Sequence, residues 1–249
     1  MQINGKDVTL DDLQNGYYIY QASDEFRFGV DAVFLSEFAK VRPGEIVLDM
    51  GTGNGIIPIL LAAKTKGKHF YGLEIQENSV MIAQESVKYN DLQDRISIVR
   101  GDICTASGIF GNETMDVVVS NPPYMIAQHG LRNEADAKYI ARHEALCTFE
   151  DIAREASKLL KTHGKFCLIH RPFRLAELIV TLVKYRLEPK RIRFIHSYAD
   201  KEPSMVMIET LKGGNSGVRI DKPLIIYEKN GEYTPEVKEI YKTRQDLKG

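Results

Sequence analysis

A short β-branched run that ends in a glycine loop and continues directly into a helical pattern restricts this chain to a small set of folds. Residues 45–49 form the run, Met50-Gly51-Thr52-Gly53-Asn54-Gly55 follows it, and residues 56–64 have the apolar spacing of a helix. A strand, a glycine loop and a helix in this order bind nucleotide-like ligands in doubly wound α/β sheets, because glycines let the backbone approach a ligand closely. We therefore expect Gly51 and Gly53 to lie against such a ligand.

From about residue 45 onward, short β-branched stretches alternate with longer amphipathic ones, which predicts βαβ units around a parallel sheet. The predicted strands are residues 45–49, 68–75, 96–100, 115–120, 165–170, 191–196 and 204–210, and the predicted helices are residues 31–40, 56–64, 78–90, 149–161 and 174–185. Residues 16–28 are rich in aromatics without a clear period. Residues 218–228 follow a glycine-rich turn and are expected to form a hairpin or an extended arm.

Composition indicates an ordinary globular protein. The chain has 249 residues, of which 43% are hydrophobic and 27% are charged, and this length suits one α/β domain with modest additions. No apolar run approaches the roughly 20 residues that cross a bilayer, and the N-terminus lacks the features of a secretory signal. We expect one soluble, cytoplasmic domain over residues 1–249, with residues 1–40 closing the ligand site.

The three cysteines do not suggest a metal site or a disulfide framework. Cys104, Cys147 and Cys167 are odd in number and have no CxxC spacing. They are expected to be reduced packing residues, and no metal is expected.

An acidic residue ends or follows each of the first three predicted strands. Asp49 would repel a pyrophosphate but attract an ammonium group, such as the one at the methionine end of S-adenosylmethionine. Glu74 can accept hydrogen bonds from both hydroxyls of a ribose, and Asp102 can accept one from an adenine amino group. Ile75 and Ile103 would then offer apolar faces to the adenine ring, although either isoleucine could instead belong to the core.

The fourth predicted strand runs directly into Asn121-Pro122-Pro123-Tyr124. The two prolines stop further strand pairing or helix formation, so the loop is rigid. The Asn121 amide oxygen and the Pro122 carbonyl can both accept hydrogen bonds from one NH₂ group, while Tyr124 stacks on the plane that bears it. Such bonds raise the electron density of a planar nitrogen, which is otherwise a poor nucleophile toward a sulfonium methyl group. The motif indicates methylation of a planar amino group, although Asn-Pro-Pro also forms ordinary turns.

Residues 24–124 resemble class I methyltransferases of the Asn-Pro-Pro-Tyr group, and the chain resembles more narrowly the bacterial tRNA1(Val) (adenine37-N6)-methyltransferase family. The segments that carry the narrower resemblance are Phe26-Arg27-Phe28-Gly29-Val30-Asp31-Ala32-Val33-Phe34-Leu35, Asp49-Met50-Gly51-Thr52-Gly53-Asn54-Gly55, Ser120-Asn121-Pro122-Pro123-Tyr124 and Ala141-Arg142-His143-Glu144.

The resemblance implies a class I methyltransferase (Rossmann-like) α/β fold, with a seven-stranded, mostly parallel sheet flanked by helices and an antiparallel last strand. It implies S-adenosylmethionine as the cofactor and the anticodon loop of a tRNA as the substrate. The residues matched to the methionine end of the cofactor are Phe28, Gly29 and Asp31, those matched to other cofactor contacts are Asp49, Gly51, Glu74 and Asp102, and those matched to the amine pocket are Asn121, Pro122 and Tyr124. Asn121 is expected to lie beside the cofactor as well. Arg142, His143 and Glu144 either order the loop over the pocket or begin a surface helix.

The motif identifies the chemistry better than the substrate, because glutamine amides and the amino groups of guanine, cytosine and adenine all present a planar NH₂. Residues 158–249 contain 19 Lys and Arg against 11 Asp and Glu, which favours RNA. The cations expected to contact phosphates are Lys184, Arg186, Lys190, Arg191 and Arg193. The alternatives are methylation of a protein glutamine, methylation of an rRNA amino group, and an RNA-binding module without turnover. We expect a monomer or a weak homodimer.

Overall fold

The computed structural model describes residues 1–13, 16–22, 29–122 and 147–241, and these fold around one large sheet with helices on both faces. The strands are β1 (Gln2–Ile3), β2 (Lys6–Asp12), β3 (Tyr18–Ala22), β4 (Ile46–Met50), β5 (His69–Glu74), β6 (Ile96–Arg100), β7 (Met115–Ser120), β8 (Leu160–His170), β9 (Leu187–His196), β10 (Pro203–Lys212), β11 (Arg219–Ile220) and β12 (Leu224–Ile225). The helices are α1 (Val30–Phe38), α2 (Ile56–Lys64), α3 (Glu77–Tyr89), α4 (Ala106–Phe110), α5 (Phe149–Leu159), α6 (Leu175–Lys184) and α7 (Pro235–Tyr241). Single 3₁₀ turns cover Ile103–Thr105 and Pro172–Arg174.

The central sheet has the strand order β9-β10-β8-β7-β4-β5-β6, with β11 and β12 added beside β9. All pairings from β8 to β6 are parallel, whereas β10 is antiparallel to both β8 and β9. The strands β4 to β10 are the seven predicted from the sequence, and the antiparallel last strand is confirmed. The strand order reverses between β4 and β7, so their carboxyl ends flank the crevice in which doubly wound sheets bind ligands.

Helix boundaries agree with the sequence prediction to within about two residues. The α5 helix begins with a reciprocal capping box, in which the Thr148 hydroxyl accepts from the Asp151 backbone and the Asp151 carboxylate accepts from the Thr148 backbone. It ends two residues earlier than predicted, because β8 starts at Leu160, where it pairs with Met115 of β7.

One segment was not predicted from the sequence, and another adopts one of the two predicted forms. The first 22 residues contain a three-stranded antiparallel sheet, β1-β2-β3, that packs on α3 and was not predicted. Two residues at the end of α3 hold β3. The Ser86 hydroxyl accepts from the Tyr20 backbone amide, and the Asn90 side chain exchanges two hydrogen bonds with the Tyr18 backbone. The tail is an extended arm, since β11 and β12 both run parallel to β9 instead of forming a hairpin.

Apolar side chains fill both faces of the central sheet. One cluster lies under α1, α2 and α3 and includes Phe34 and Phe70, whereas the other lies under α5 and α6 and includes Phe166. These layers hold the strand ends in place, so the loops at the carboxyl edge stand on a rigid base. In the described residues, no helix combines the length and apolar character that crossing a membrane requires.

Candidate active site

The glycine loop after β4 is held against the end of β5. Gly51, Gly53 and Gly55 all have positive φ angles, of 80°, 56° and 84°, which side-chain-bearing residues rarely adopt. The Gly51 and Thr52 backbone amides both donate to the Leu73 carbonyl, at 2.9 and 3.0 Å. The Gly53 amide donates to Glu74 Oε2 at 3.0 Å. The loop is therefore tied to the neighbouring strand at the predicted ligand crevice.

Asp49 is a buried acid that has no hydrogen-bond partner among the described residues. Its side chain is 1% exposed, and neither carboxylate oxygen is bonded to another group in the described parts of the chain. Burial raises the pKa of Asp49 from 3.8 to about 7; the nearby Thr52 hydroxyl lowers it without reaching hydrogen-bonding geometry, and the Glu74 charge raises it further. An unpaired buried carboxylate is costly unless a cation approaches it. The ammonium group at the methionine end of S-adenosylmethionine fits this requirement, directly or through a water molecule.

Glu74 and Asp102 lie at the ends of the next two strands along the sheet. Glu74 is buried, and its second oxygen, Oε1, accepts from the Gln76 amide at 2.9 Å. Asp102 Oδ1 accepts from the Cys104 amide at 2.8 Å and so begins the short 3₁₀ turn. A carboxylate has about four acceptor sites, so both acids keep capacity for further donors. Their roles toward ribose and adenine stay predictions.

Two isoleucines lie beside these acids. Ile75 follows Glu74 directly and is 42% exposed, which is unusual for a large apolar residue at the end of a buried strand. Ile103 lies across from the glycine loop, since a Cβ on Gly51 would be 3.5 Å from its Cδ1 atom. The exposed Ile75 is free to contact a flat ring, whereas Ile103 also packs against the core under α5 and α6, so its contact with the adenine ring stays a prediction.

Asn121 is brought next to the glycine loop by its neighbour. The buried Ser120 hydroxyl donates to the Met50 carbonyl at 2.9 Å, and this bond ties the end of β7 to the end of β4. The Asn121 amide group donates from Nδ2 to Asp31 Oδ2 at 3.1 Å. Pro122 is buried. The structure therefore brings together Asp31, the glycine loop and the start of the proline motif.

Several predicted site residues lie outside the described residues. They are Phe28, Tyr124, Arg142, His143 and Glu144, and their roles stay predictions.

Two site features were missed by sequence reasoning. Gly72 lies opposite Asp49 in the β4–β5 pairing, and a Cβ there would come within 2.8 Å of Thr52 Cγ2. A glycine inside a strand signals such a close approach, so the pattern was available in the sequence. The Ser120 bond to Met50 had no comparable signal, because many strands end in serine.

The five cations predicted to contact phosphates, all within residues 184–193, do not form one open cluster. Arg191 is only 11% exposed and pairs with Glu209 at 2.8 Å and with Asp221 at 3.5 Å. The Arg193 guanidinium pairs with Glu236 at 2.6 Å. The donors of both arginines already serve acids of the protein, and their contact with phosphates stays a prediction. The exposed cations of the group are Lys184, which pairs with Glu150, and Arg186, whereas Lys190 is half-buried and donates to the Asn215 carbonyl.

Comparison with known proteins gives this arrangement a family. Residues 24–184 match the model of the methyltransferase small domain. The chain belongs to the methyltransferase small domain family. The matched span includes the glycine loop, the three strand-end acids and the proline motif.

Relatives within this family align over most of the chain. A Porphyromonas gingivalis protein named tRNA1(Val) (adenine(37)-N6)-methyltransferase is 31% identical over 226 residues, covering 88% of each chain. A Pedobacter heparinus protein of the same name is 28% identical and covers 91% of this chain and 94% of its own.

Solved structures share the methyltransferase fold. A predicted O-methyltransferase from Agrobacterium tumefaciens has a TM-score of 0.70 at 23% identity, covering 85% of this chain and 95% of its own. TrmN from Thermus thermophilus has a TM-score of 0.52 at 24% identity, over 73% of this chain and 48% of its own. These structures show the fold, and the family match makes the chain a methyltransferase that uses S-adenosylmethionine.

Proposed function

We propose that this enzyme methylates N6 of an adenine in tRNA, and specifically adenine 37 beside the anticodon of tRNA1(Val). The observation that carries the proposal is the position of Asn121, which follows β7 and is tied through Ser120 to the glycine loop after β4. A planar amino group bound at Asn121 would lie next to the cofactor loop. The names and coverage of the relatives support adenine in tRNA as the source of that group.

The chemistry rests on hydrogen bonding and alignment. The cofactor supplies an electrophilic methyl group on a sulfonium. The Asn121 amide oxygen and the Pro122 carbonyl accept from the two N–H groups of the adenine amine, which raises the electron density on nitrogen and aligns its lone pair. Tyr124 offers a stacking surface to the base, which must leave the loop stack to enter the pocket. No strong base is needed, because the nitrogen loses its proton after the methyl group has been transferred.

Around the cofactor, each acid has a separate task in this proposal. Asp49 pairs with the methionine ammonium group, Glu74 accepts from the ribose hydroxyls, and Asp102 accepts from the adenine amino group of the cofactor. Gly51 and Gly53 let the backbone approach the ligand without a side chain in the way. Because the relatives are named as tRNA-modifying enzymes of bacteria, we propose the cytoplasm as the location of the reaction.

The test is the identity of the methylated nucleoside. The protein is incubated with isotope-labelled cofactor and total tRNA, and the nucleosides are analysed by mass spectrometry. We expect labelled N6-methyladenosine, and sequencing of the labelled tRNA should place it at position 37 of tRNA1(Val). Label in a protein glutamine or in another nucleoside would reject the adenine assignment. Asn121→Ala is the inactive control, and Asn215→Ala, at an exposed turn far along the chain, is the matched active one.

A further inference from the structure

The hydrogen bond between Asp31 and Asn121 joins residues 90 positions apart in the chain, and it lies beside the reaction centre. Asn121 Nδ2 donates to Asp31 Oδ2 at 3.1 Å. Asp31 is only 8% exposed, and it belongs to α1, the helix that follows the N-terminal segment. The resemblance noted above would make Asp31 a contact of the cofactor, but the contact seen here is with the residue that holds the substrate amine.

We propose that Asp31 is a positioning residue for methyl transfer, which holds the Asn121 amide so that its oxygen faces the reacting amine. The inference rests on the proposed function, because it assumes that Asn121 accepts a hydrogen bond from the substrate. It adds a role that neither the motif nor the strand-end acids supply.

The chemistry of the amide makes this orientation necessary. A carboxamide presents an acceptor oxygen on one side and an NH₂ donor on the other, and a half-turn of the group exchanges them. If NH₂ faced the substrate amine, two donors would meet and the bond would be lost. An ionised carboxylate only accepts, so Asp31 binds the NH₂ side and leaves the Asn121 oxygen on the opposite side. The negative charge also polarises the amide and makes its oxygen a better acceptor.

The Asp31 carboxylate is itself held in place. Its other oxygen, Oδ1, accepts from the Ala32 amide at 3.0 Å, within the first turn of α1. The positive end of a helix favours an ionised carboxylate at this position. One oxygen therefore faces the helix start while the other faces Asn121.

Gly29 gives an independent sign that the position of this carboxylate matters. A Cβ atom on Gly29 would lie 2.6 Å from Asp31 Oδ1, far inside van der Waals contact. The backbone of Gly29 has φ −97° and ψ 177°, which any residue can adopt. An alanine at position 29 would therefore have to displace the tip of the Asp31 side chain, although its own backbone conformation is ordinary.

The first experiment separates turnover from cofactor binding. Asp31→Ala, Asn121→Ala and the double variant are compared in single-turnover assays with tRNA and saturating cofactor, and cofactor affinity is measured by calorimetry. We expect Asp31→Ala to slow turnover about 10- to 100-fold, as the loss of an outer-shell partner does elsewhere, with cofactor affinity within about twofold of the original. The double variant should be no slower than Asn121→Ala, because Asp31 acts through Asn121. Asp200→Ala, at an exposed turn between β9 and β10, is the matched control.

Two conservative changes refine the test. Asp31→Asn keeps an acceptor for the Asn121 amide and should retain clearly more turnover than Asp31→Ala. Gly29→Ala removes no polar group but displaces the carboxylate, so it should slow turnover in the same way as Asp31→Ala. If Asp31→Asn is as slow as Asp31→Ala, or if Gly29→Ala is fully active, the orienting role is excluded. Weaker cofactor binding with unchanged saturating turnover would make Asp31 a cofactor contact instead.

A spectroscopic measurement tests the contact without any reaction. The side-chain amide signals of Asn121 are identified in the ¹⁵N spectrum by their absence in Asn121→Ala, and they should shift and exchange faster with water in Asp31→Ala. Unchanged signals would overturn the proposal. This result is independent of the substrate: if the unaltered protein fails to methylate tRNA, the proposed function is wrong, whereas the amide signals still decide whether Asp31 holds Asn121.

Discussion

Two parts of the central sheet contain buried charges that differ in their partners. We call the carboxyl ends of β4 and β7, where Asp49 lies, the cofactor edge, and the outer strand β9, where Arg191 lies, the C-terminal edge. At the cofactor edge, Asp49 is almost completely buried and has no hydrogen-bond partner among the described residues. At the C-terminal edge, the nearly buried Arg191 guanidinium is bonded to Glu209, to Asp221 and to the Phe38 carbonyl. A charge left without a partner lowers the stability of the fold, whereas a charge with several partners holds elements together. The difference distinguishes a ligand site from a structural ion pair.

The largest effect is expected at Asn121, which belongs to the cofactor edge but contributes little to folding. Asn121→Ala removes one of two acceptors for the amine and should raise the barrier by about 3–4 kcal/mol, so that turnover falls roughly 100- to 1,000-fold. Single-turnover kinetics with saturating cofactor measure the change, and thermal unfolding checks stability. A variant that methylates tRNA at the original rate would invalidate the amine pocket. A large fall in melting temperature would show that Asn121 also stabilises the fold, and the cofactor edge would then not differ from the C-terminal edge in this respect.

Arg191→Ala should lower stability and leave the cofactor site intact, which is the opposite of Asn121→Ala. It leaves Glu209 and Asp221 without their shared cation, so we expect a loss of about 3 kcal/mol in unfolding free energy, at the low end for a buried pair because part of the guanidinium remains exposed. Cofactor affinity should be unchanged. Urea unfolding and calorimetry measure the two quantities. Arg219→Ala is the matched control, since this 71% exposed arginine also pairs with Asp221 and should matter far less.

Asp49→Asn should raise the unfolding free energy and weaken cofactor binding. The pKa of Asp49 is raised from 3.8 to about 7, so the folded protein binds more protons than the unfolded chain between these values. Stability therefore falls as pH rises from about 4 to about 7. The unfolding free energy of the asparagine variant should not change with pH in this range. At neutral pH it should exceed that of the unaltered protein by about 2 kcal/mol, which is less than the full pKa shift implies because the surroundings of a buried charge relax. Unfolding curves across this pH range provide the measurement, and an unchanged slope would show that Asp49 does not titrate there.

Cofactor binding should follow the same titration. The ammonium group favours the ionised carboxylate, so the affinity of the unaltered protein should weaken as pH falls below about 7, and Asp49→Asn should bind weakly at every pH. Calorimetry at several pH values distinguishes this from a general loss of structure. Equal affinity in both proteins would place the methionine end elsewhere.

The smallest effect is expected from two lysines of the predicted cluster, the exposed Lys184 and the half-buried Lys190. If Lys184 and Lys190 contact phosphates, replacing both with alanine should flatten the salt dependence of tRNA binding by nearly two units of slope. Stability should be almost unchanged, because the Lys184–Glu150 pair is exposed. Filter binding at several salt concentrations is the measurement. An unaltered slope would assign both lysines to the solvated surface and leave the RNA-binding face to be sought elsewhere.

Local sequence patterns were sufficient to locate the seven strands from β4 to β10. The β6 and β7 strands and the α2 helix have the predicted boundaries, because apolar periodicity directly reflects which face of an element is buried. The glycine loop and Asn121-Pro122 could be interpreted for the same reason, since their chemistry depends on neighbours in the chain. The N-terminal sheet was not predicted for two reasons. The β3 strand is held by Ser86 of α3 and by Asn90 directly after it, which are distant in the sequence. Four successive residues of β3 are buried, so the strand lacks the alternating pattern of a strand with one exposed face.

The sequence alone determined the fold class and the position of an acid at the end of each of three neighbouring strands. Only the tertiary structure decided which charges have partners. The sequence shows only that Asp49 and Arg191 each carry one charge. Whether that charge has a partner depends on residues that other strands bring to it. The same holds for Asp31, whose contact with Asn121 spans 90 residues. Pairing between distant side chains follows from the packing of the whole sheet, and no local pattern encodes it.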